Sequence, residues 1–205
     1  MKDRASQREP TRTRRTRTFW QKFPEKEELN QYWYSAETVA TLAKEAIVET
    51  PESGGRIAFL STPSVYFSIQ PQQNDGPNQR ECFLFDFDPK FASEGEHFVP
   101  FDFNKPEEIP SELVGTFDFV VVDPPFITRE VWELYTKTVT SLLRSKDSKI
   151  LVTTIEENAA MIKELLGCSS RKFKPAIPHL VYQYALFTNY ESPTLDAINP
   201  EIDFD

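Results

Sequence analysis

Five short apolar runs, separated by polar segments, form the framework of the middle part of the chain. The runs are rich in β-branched and aromatic residues and are apolar on both faces, which is typical of strands in a sheet covered by helices. They span residues 56–60, 82–85, 98–101, 118–122 and 149–153. Strands that alternate with helical segments predict a doubly wound α/β sheet.

Helical periodicity marks several of the intervening segments. Ser35 is a suitable N-cap for a helix, and Gly167 is a suitable C-cap for residues 156–166. Two more helices are predicted, one near Pro63 and one after Thr128, where apolar residues recur at helical spacing. We expect these helices to cover both faces of the sheet.

The two ends of the chain differ from its middle. Residues 1–18 are polar and rich in arginine, so they cannot bury a core and are predicted to form a disordered basic tail. Residues 173–177 and 181–187 are the candidates for the last two strands, which would return antiparallel at one edge of the sheet. We expect residues 19–190 to form one domain, and the acidic residues 191–205 to lie over its surface or to fray.

The charge of the chain is unevenly distributed. The 205 residues carry a formal net charge of −9, although residues 1–24 hold eight basic and only two acidic side chains. The other residues therefore hold 15 basic and 30 acidic side chains and carry a net charge of −15. Such an acidic body repels phosphate backbones and attracts basic partners, which disfavours a nucleic-acid substrate.

Cysteine and histidine are scarce. Cys82 and Cys168 are too few for a disulfide framework or a zinc cluster, and His97 and His179 lack partners at ligand spacing. We therefore expect no metal and a reducing, cytoplasmic compartment. No apolar run approaches the length of a membrane span, and the Met1 end lacks the apolar core of a signal peptide.

The fourth apolar run ends in Asp123-Pro124-Pro125-Phe126. Prolines lack an amide donor and restrict the residue before them, so Asp123 should be held in a fixed pose at the mouth of the sheet. In open α/β sheets, ligands bind at this edge. Asp123 and a nearby carbonyl can accept the N–H bonds of a planar or primary amine, while Phe126 packs against the atoms that bear it. The alternative is a tight turn that only ends a strand.

Two more strands end in a carboxylate, and a hydroxyl-rich turn follows the first strand. Asp86 lies about 25 residues after the end of the first strand, close to the usual position of a residue that binds ribose hydroxyls. Asp102 follows the third strand. The turn at residues 61–64 resembles a helix start whose free N–H groups could face a ligand, although it is not a glycine-rich nucleotide loop. Together with Asp123, these positions predict one site.

These motifs resemble those of class I S-adenosylmethionine-dependent methyltransferases. More closely, the chain resembles the small eukaryotic lysine methyltransferases of translation elongation factor 1-alpha, which were once described as N6-adenine methyltransferases because of the same Asp-Pro-Pro-Phe motif. The resembling pieces are residues 31–35, 61–66 and 85–88, Asp102 and Asp123 to Phe126. The resemblance implies a single Rossmann-like α/β sheet of seven strands, with helices on both faces, an antiparallel last strand and S-adenosyl-L-methionine as the cofactor.

The resemblance also implies roles for individual residues. The expected catalytic residues are Asp123, Pro124, Pro125 and Phe126. The expected cofactor-binding residues are Tyr34, Ser61, Thr62, Pro63, Ser64, Asp86, Phe87, Asp102, Phe103 and Asp123. The expected walls of the substrate channel are Tyr32, Trp33 and Phe126. Within this scheme, residues 61–64 approach the methionine part of the cofactor, Asp86 holds the ribose and Asp102 lies near the adenine amine.

Three functions remain open from the sequence. The acidic body and the resemblance favour a monomeric protein-lysine methyltransferase whose partner is elongation factor 1-alpha. The same motif allows an N6-adenine methyltransferase for DNA or RNA, which would need a flipped base and a basic groove that we do not find beyond the N-terminal tail. The third alternative is a non-catalytic methyltransferase fold that serves as a binding module.

Overall fold

The computed structural model describes residues 18–69, 80–93 and 97–202, and these form a seven-stranded sheet with flanking helices. The strands are β1 (Arg56–Leu60), β2 (Glu81–Asp86), β3 (Phe98–Pro100), β4 (Phe119–Val122), β5 (Lys149–Ile155), β6 (Ser169–Ser170) and β7 (Tyr184–Thr188). Their order across the sheet is β3-β2-β1-β4-β5-β7-β6. β1 to β5 are parallel, whereas β7 runs antiparallel to β5 and β6. The predicted Rossmann-like sheet with an antiparallel last strand is confirmed.

The strand order reverses at the centre of the sheet. β1 pairs with β2 on one side and with β4 on the other. In sheets of this kind, the crevice at the carboxyl ends of the two central strands is the usual ligand site. The amide of Asp123 extends the pairing beyond β4, because it donates to the carbonyl of Leu60 over 3.2 Å.

Helices cover both faces of the sheet. In the part of the chain that the structure describes, the α-helices are α1 (Phe19–Lys22), α2 (Ala36–Val48), α3 (Pro63–Ile69), α4 (Arg129–Leu142) and α5 (Ala159–Leu166). Short 3-10 helices span Glu27–Leu29, Pro89–Ser93, Pro106–Glu108, Ser111–Leu113 and Glu156–Asn158. Because side chains alternate along a strand, Ile57 and Phe59 pack beneath α2 and α3, whereas Ala58 and Leu60 pack beneath α4 and α5. This alternation produces two core layers. None of these helices is long and apolar enough to cross a membrane.

The predicted strand at residues 173–177 is wrong. This segment lies instead along the start of α2, where the amide of Ser35 donates to the carbonyl of Ala176 over 2.9 Å. The amide of Ala176 in turn donates to Oγ1 of Thr38 over 3.0 Å. Pro175 has no amide donor for a sheet ladder, and the neighbouring backbone groups are paired with the helix end instead.

The edge of the sheet is formed by other residues than expected. β6 consists of the two exposed serines Ser169–Ser170, which carry no apolar pattern. The predicted strand at residues 181–187 begins only at Tyr184, because Val181 and Tyr182 lie exposed in the preceding loop.

Residues 191–202 of the C-terminal segment lie over the domain, which is one of the two expected alternatives, and buried side chains anchor them there. Leu195 and Asn199 have no exposed side-chain surface. The amide of Phe173 donates to the carbonyl of Leu195 over 2.8 Å, and Nδ2 of Asn199 donates to the carbonyl of Lys174 over 2.8 Å. Leu195 is an isolated leucine among acidic and polar residues, so the sequence shows no repeating apolar pattern that would predict this packing.

Replacing Leu195 with alanine is expected to destabilise the fold by about 2–5 kcal/mol, because it leaves a cavity in the core layer beneath α2. Urea unfolding of the two proteins measures this difference. The matched control is Ile198→Ala, since Ile198 is exposed and its truncation should change the stability by no more than about 0.5 kcal/mol. Equal stabilities of the two variants would contradict the packing of this segment.

One sequence expectation concerns residues that the structure does not describe. The basic tail predicted at residues 1–18 lies outside the described residues except for Thr18, whose carbonyl accepts the amides of Gln21 and Lys22 at the start of α1. Residues 70–79 of the polar loop before β2 also lie outside them.

Candidate active site

A cavity of about 280 Å³ lies at the carboxyl ends of β1, β2, β3 and β4. Most of the residues that the sequence predicts for the site line this cavity. They are Tyr32, Trp33, Ser61, Pro63, Asp86, Phe87, Asp102, Phe103, Asp123, Pro124, Pro125 and Phe126. Tyr34, Thr62 and Ser64 do not line it. The structure thus brings the ends of four separate strands to one place, as the topology requires.

Asp123 follows β4 directly and is held by side chains from two other parts of the chain. Its Oδ2 accepts a hydrogen bond from the hydroxyl of Tyr34 at 2.5 Å. The same tyrosine hydroxyl lies 2.6 Å from Oγ1 of Thr153 in β5. Burial raises the pKa of Asp123 to about 7, although the hydrogen bonds from Tyr34 and Thr153 act in the lowering direction. The carboxyl group therefore titrates near neutral pH.

The turn after Asp123 is fixed by contacts from outside β4. Nδ2 of Asn30 donates to the carbonyl of Pro125. The ring of Phe126 is 47% exposed and meets the ring of Phe103 edge to face, with 6.4 Å between centroids. An aromatic wall thus stands beside Asp123 at the mouth of the cavity. Asn30 was not predicted for the site; its left-handed backbone, with a φ of 51°, is the local feature that marks it.

Two carboxylates at the end of β2 have different surroundings. Oδ1 of Asp86 accepts the amide of Asp88 at 2.9 Å, and burial raises the pKa of Asp86 to about 7. Asp88 instead forms ion pairs with Lys26 and Lys90 at 3.0 and 3.1 Å. Burial acts to raise the pKa of Asp88, but the Lys90 amide and the two lysines outweigh it and lower the pKa. Both aspartates line the cavity, but Asp88 is held by its two lysines, whereas Asp86 forms no ion pair with the described residues.

The turn after β1 has an unusual backbone. Ser61 has a φ of 55°, in the left-handed region that few residues other than glycine adopt. Its Oγ lies 2.7 Å from the hydroxyl of Tyr135 in α4, and Tyr135 also lines the cavity. The side chains of Thr62 and Ser64 are buried, and their hydroxyls have no hydrogen-bond partner among the residues that the structure describes. Cofactor contacts from these two side chains remain a prediction.

Asp102 and the aromatic segment before α2 complete the cavity wall. Oδ1 of Asp102 accepts the backbone and side-chain N–H groups of Asn104 at 3.0 and 2.9 Å. Trp33 is only 6% exposed, and its Nε1 donates to the carbonyl of Phe23 over 2.9 Å. Its ring also packs against Phe91 in the core. Trp33 is therefore chiefly a core residue that borders the cavity, whereas Tyr32 is more accessible there.

Besides Asn30, the residues of the cavity or of the Asp123 network that the sequence reasoning missed include Tyr135, Thr153 and Tyr184. Tyr135 lies on the buried face of α4, so its spacing indicated packing and not a polar contact. Thr153 and Tyr184 lie within apolar strands, where a hydroxyl at the end of a strand is the one available signal.

Among the residues that the structure describes, no three His, Cys, Asp or Glu side chains are grouped to hold a metal ion.

Solved structures similar to this chain show the same fold. A branched-chain polyamine synthase variant from Thermus thermophilus aligns with a TM-score of 0.60 at 13% identity and covers 80% of this chain and 58% of its own. A SAM-dependent methyltransferase from Archaeoglobus fulgidus aligns with a TM-score of 0.50 at 10% identity, over 75% of this chain and 94% of its own. At such identities the likeness establishes the fold alone.

Sequence relatives are closer. Human EEF1A lysine methyltransferase 1 is 36% identical over 167 residues, which is 80% of this chain and 75% of the human protein. The Danio rerio protein of the same name is 36% identical over 82% of this chain and 99% of its own length. A family model described as probable N6-adenine methyltransferase matches residues 25–192. With a match over most of its length, the chain belongs to this methyltransferase family, together with the EEF1A lysine methyltransferase 1 proteins.

Proposed function

We propose that this chain transfers a methyl group from S-adenosyl-L-methionine to a lysine side chain of translation elongation factor 1-alpha. The observation that carries the proposal is the position of Asp123 and Phe126. They lie side by side at the mouth of the cavity, at the point where the strand order reverses. The names of the relatives support the choice of lysine and of the elongation factor.

The cofactor half of the cavity is the part around the ends of β1, β2 and β3. The carboxyl of Asp86 is only 6% exposed and forms no ion pair with the residues that the structure describes, which suits it to accept the two hydroxyls of a ribose. Phe87 and Phe103 offer aromatic surface for an adenine, and Asp102 can accept from its amine. The residues present therefore fit S-adenosyl-L-methionine, which supplies an activated methyl group when bound.

The acceptor half lies around Asp123. A free lysine has a pKa of about 10.4, so it must lose its proton before its nitrogen can attack. The rings of Phe126 and Tyr32 remove the lysine side chain from water, which favours the neutral amine. Asp123 then orients the amine by accepting an N–H bond, which directs the nitrogen lone pair towards the cofactor.

The rate of methyl transfer is expected to rise as the pH increases through about 7, because Asp123 must be ionised to accept the amine N–H. Below that pH the protonated carboxyl would donate to the amine lone pair and block it. Loss of the lysine's own proton extends the rise to higher pH. Single-turnover rates at saturating cofactor measure this dependence without interference from the titration of Asp86. A rate that stays constant between about pH 6 and 8 would contradict the role of Asp123.

A basic protein substrate agrees with the charge of the chain. The net charge of −15 beyond residue 24 attracts a basic protein surface and repels DNA or RNA. We propose that the enzyme acts in the cytoplasm as a monomer. The alternative supported by the description of the family model is methylation of adenine N6, because the exocyclic amine would fit the same carboxylate and aromatic wall.

The experiment that tests the function is the transfer of labelled methyl groups into a eukaryotic cytosolic extract, with and without nuclease treatment. Label in a nuclease-resistant protein, mapped by mass spectrometry to a lysine of elongation factor 1-alpha, is the expected result. Purified elongation factor should accept label directly. Label that disappears with nuclease would establish the adenine alternative, and absence of both label and cofactor binding would support a non-catalytic role.

A further inference from the structure

A chain of two hydroxyl groups ends on Asp123. The first hydroxyl belongs to Tyr34, which precedes α2, and donates to Asp123. The second belongs to Thr153 in β5 and contacts the hydroxyl of Tyr34. Tyr34 is only 2% exposed and Thr153 only 1% exposed, so solvent does not compete for these bonds. The cavity that would hold cofactor and amine is lined by neither side chain.

The direction of these hydrogen bonds follows from the chemistry of the groups. An ionised carboxylate can only accept, so the single proton of the Tyr34 hydroxyl is donated to Oδ2 of Asp123. The Tyr34 oxygen can then only accept from Thr153, whose hydroxyl donates to it. Each bond in such a chain polarises the next, which favours the ionised form of the carboxylate at its end.

The other carboxylate oxygen is in a different situation. Within residues 18–69, 80–93 and 97–202, the hydrogen bond from Tyr34 is made to Oδ2 of Asp123, so this tyrosine does not occupy Oδ1. Since Asp123 borders the cavity, Oδ1 is the oxygen that remains for a ligand. The two oxygens are therefore divided between the protein and the substrate.

We propose that Tyr34 and Thr153 are positioning residues that hold Oδ2 of Asp123 and thereby reserve Oδ1 for the N–H group of the substrate amine. The proposal rests on the proposed function, because it assigns the supporting contacts of the same site. It also revises the expected role of Tyr34, which supports Asp123 here instead of binding the cofactor.

The surroundings of Asp123 make these hydroxyls decisive for its charge. The titratable groups that face Asp123 are Tyr34, Tyr135 in α4 and Tyr184 in β7. Burial raises the pKa of each of these tyrosines, and the charge of Asp123 raises it further, so all three are neutral near pH 7. In the described part of the chain, no lysine, arginine or histidine offsets the burial of Asp123, which leaves the hydroxyls of Tyr34 and Thr153 to favour its ionised form.

The test compares Tyr34→Phe and Thr153→Val with wild type in two measurements. In single-turnover methyl transfer at saturating cofactor, both variants should lower the maximal rate by roughly tenfold, the order expected when one buried hydrogen bond of the chain is lost. The midpoint of their pH–rate profiles should move to higher pH. KM for the protein substrate and affinity for S-adenosyl-L-methionine should change little, because neither side chain lines the cavity.

The second measurement does not depend on activity. Carbon-13 labelling of aspartate carboxyl groups allows the titration of Asp123 to be followed by NMR, with the signal assigned by its loss in Asp123→Asn. The midpoint should move to higher pH in Tyr34→Phe and in Thr153→Val. Thr153→Ser keeps the hydroxyl and should restore both the midpoint and most of the rate.

The matched control is Tyr190→Phe. Tyr190 is a partly buried tyrosine that packs on Phe119 at the opposite end of β4, so its variant should leave the Asp123 midpoint unchanged. An unchanged midpoint in Tyr34→Phe or in Thr153→Val, measured on folded protein, would overturn the proposal. A shifted midpoint in a protein that methylates no lysine would instead retain the hydrogen-bond assignment and reject the proposed function.

Discussion

Replacing Asp123 with alanine is expected to lower the rate of methyl transfer by roughly a hundred- to a thousandfold, while the affinity for S-adenosyl-L-methionine stays largely unchanged. The loss follows because the amine would no longer be held in line with the methyl group, and positioning of this kind contributes factors of that size. Cofactor binding should persist because the ribose and adenine are assigned to Asp86, at the end of β2, and to Asp102, after β3, and not to a residue after β4.

The measurement pairs single-turnover transfer to purified elongation factor with calorimetric titration of the cofactor. The matched control is Asp147→Ala, since Asp147 is an exposed aspartate in the turn before β5 and should behave as wild type in both measurements. A parallel loss of transfer and cofactor affinity in Asp123→Ala would contradict the proposed role, because it would place Asp123 in the cofactor half of the cavity. Wild-type transfer would remove it from the mechanism.

The sheet and the core of the site follow from local signals in the sequence. Apolar runs that end in aspartates locate the ends of β2, β3 and β4, and parallel topology alone brings those ends together. Asp86, Asp102 and Asp123 could therefore be grouped before any coordinates were known. The two prolines after Asp123 also marked the end of its strand, because they remove backbone donors.

Contacts between distant segments could not be predicted in the same way. Tyr34 and Thr153 are 119 positions apart, and a tyrosine in an aromatic cluster is equally compatible with a lid over a ligand and with packing. Only the fold shows that its hydroxyl reaches Asp123. The burial of Leu195 could not be predicted either, because a single leucine in an acidic segment gives no periodic pattern of apolar residues.

The short and irregular elements could not be predicted from the sequence for a related reason. Residues 173–177 are apolar and extended in pattern, but their hydrogen bonds go to the start of α2 and to the C-terminal segment. The paired edge of the sheet is the polar Ser169–Ser170. A segment is a strand only if its backbone groups pair with another strand. In a strand of two residues, the side-chain pattern is too short to indicate that pairing.

Replacing Asp86 with alanine is expected to weaken the binding of S-adenosyl-L-methionine by about ten- to a hundredfold. Hydrogen bonds to a charged acceptor contribute about 1.5–3 kcal/mol, and each 1.4 kcal/mol corresponds to a factor of ten in affinity. At saturating cofactor the rate of transfer should recover, because Asp123 and its supporting hydroxyls are untouched. This separation of affinity from rate is the reverse of the pattern expected for Asp123→Ala.

The pH dependence gives the sharper test of Asp86. Its carboxyl titrates at about 7, and only the ionised form accepts from both ribose hydroxyls, so the affinity of the wild type should fall as the pH decreases through that value. Asp86→Ala should lose this dependence, whereas the control Glu81→Ala, at the exposed opposite end of β2, should retain both affinity and pH profile. An unchanged affinity in Asp86→Ala would place the ribose elsewhere. Loss of affinity with an unaltered pH profile would show that another group in the cavity controls the titration, and the candidate that titrates in the same range is Asp123.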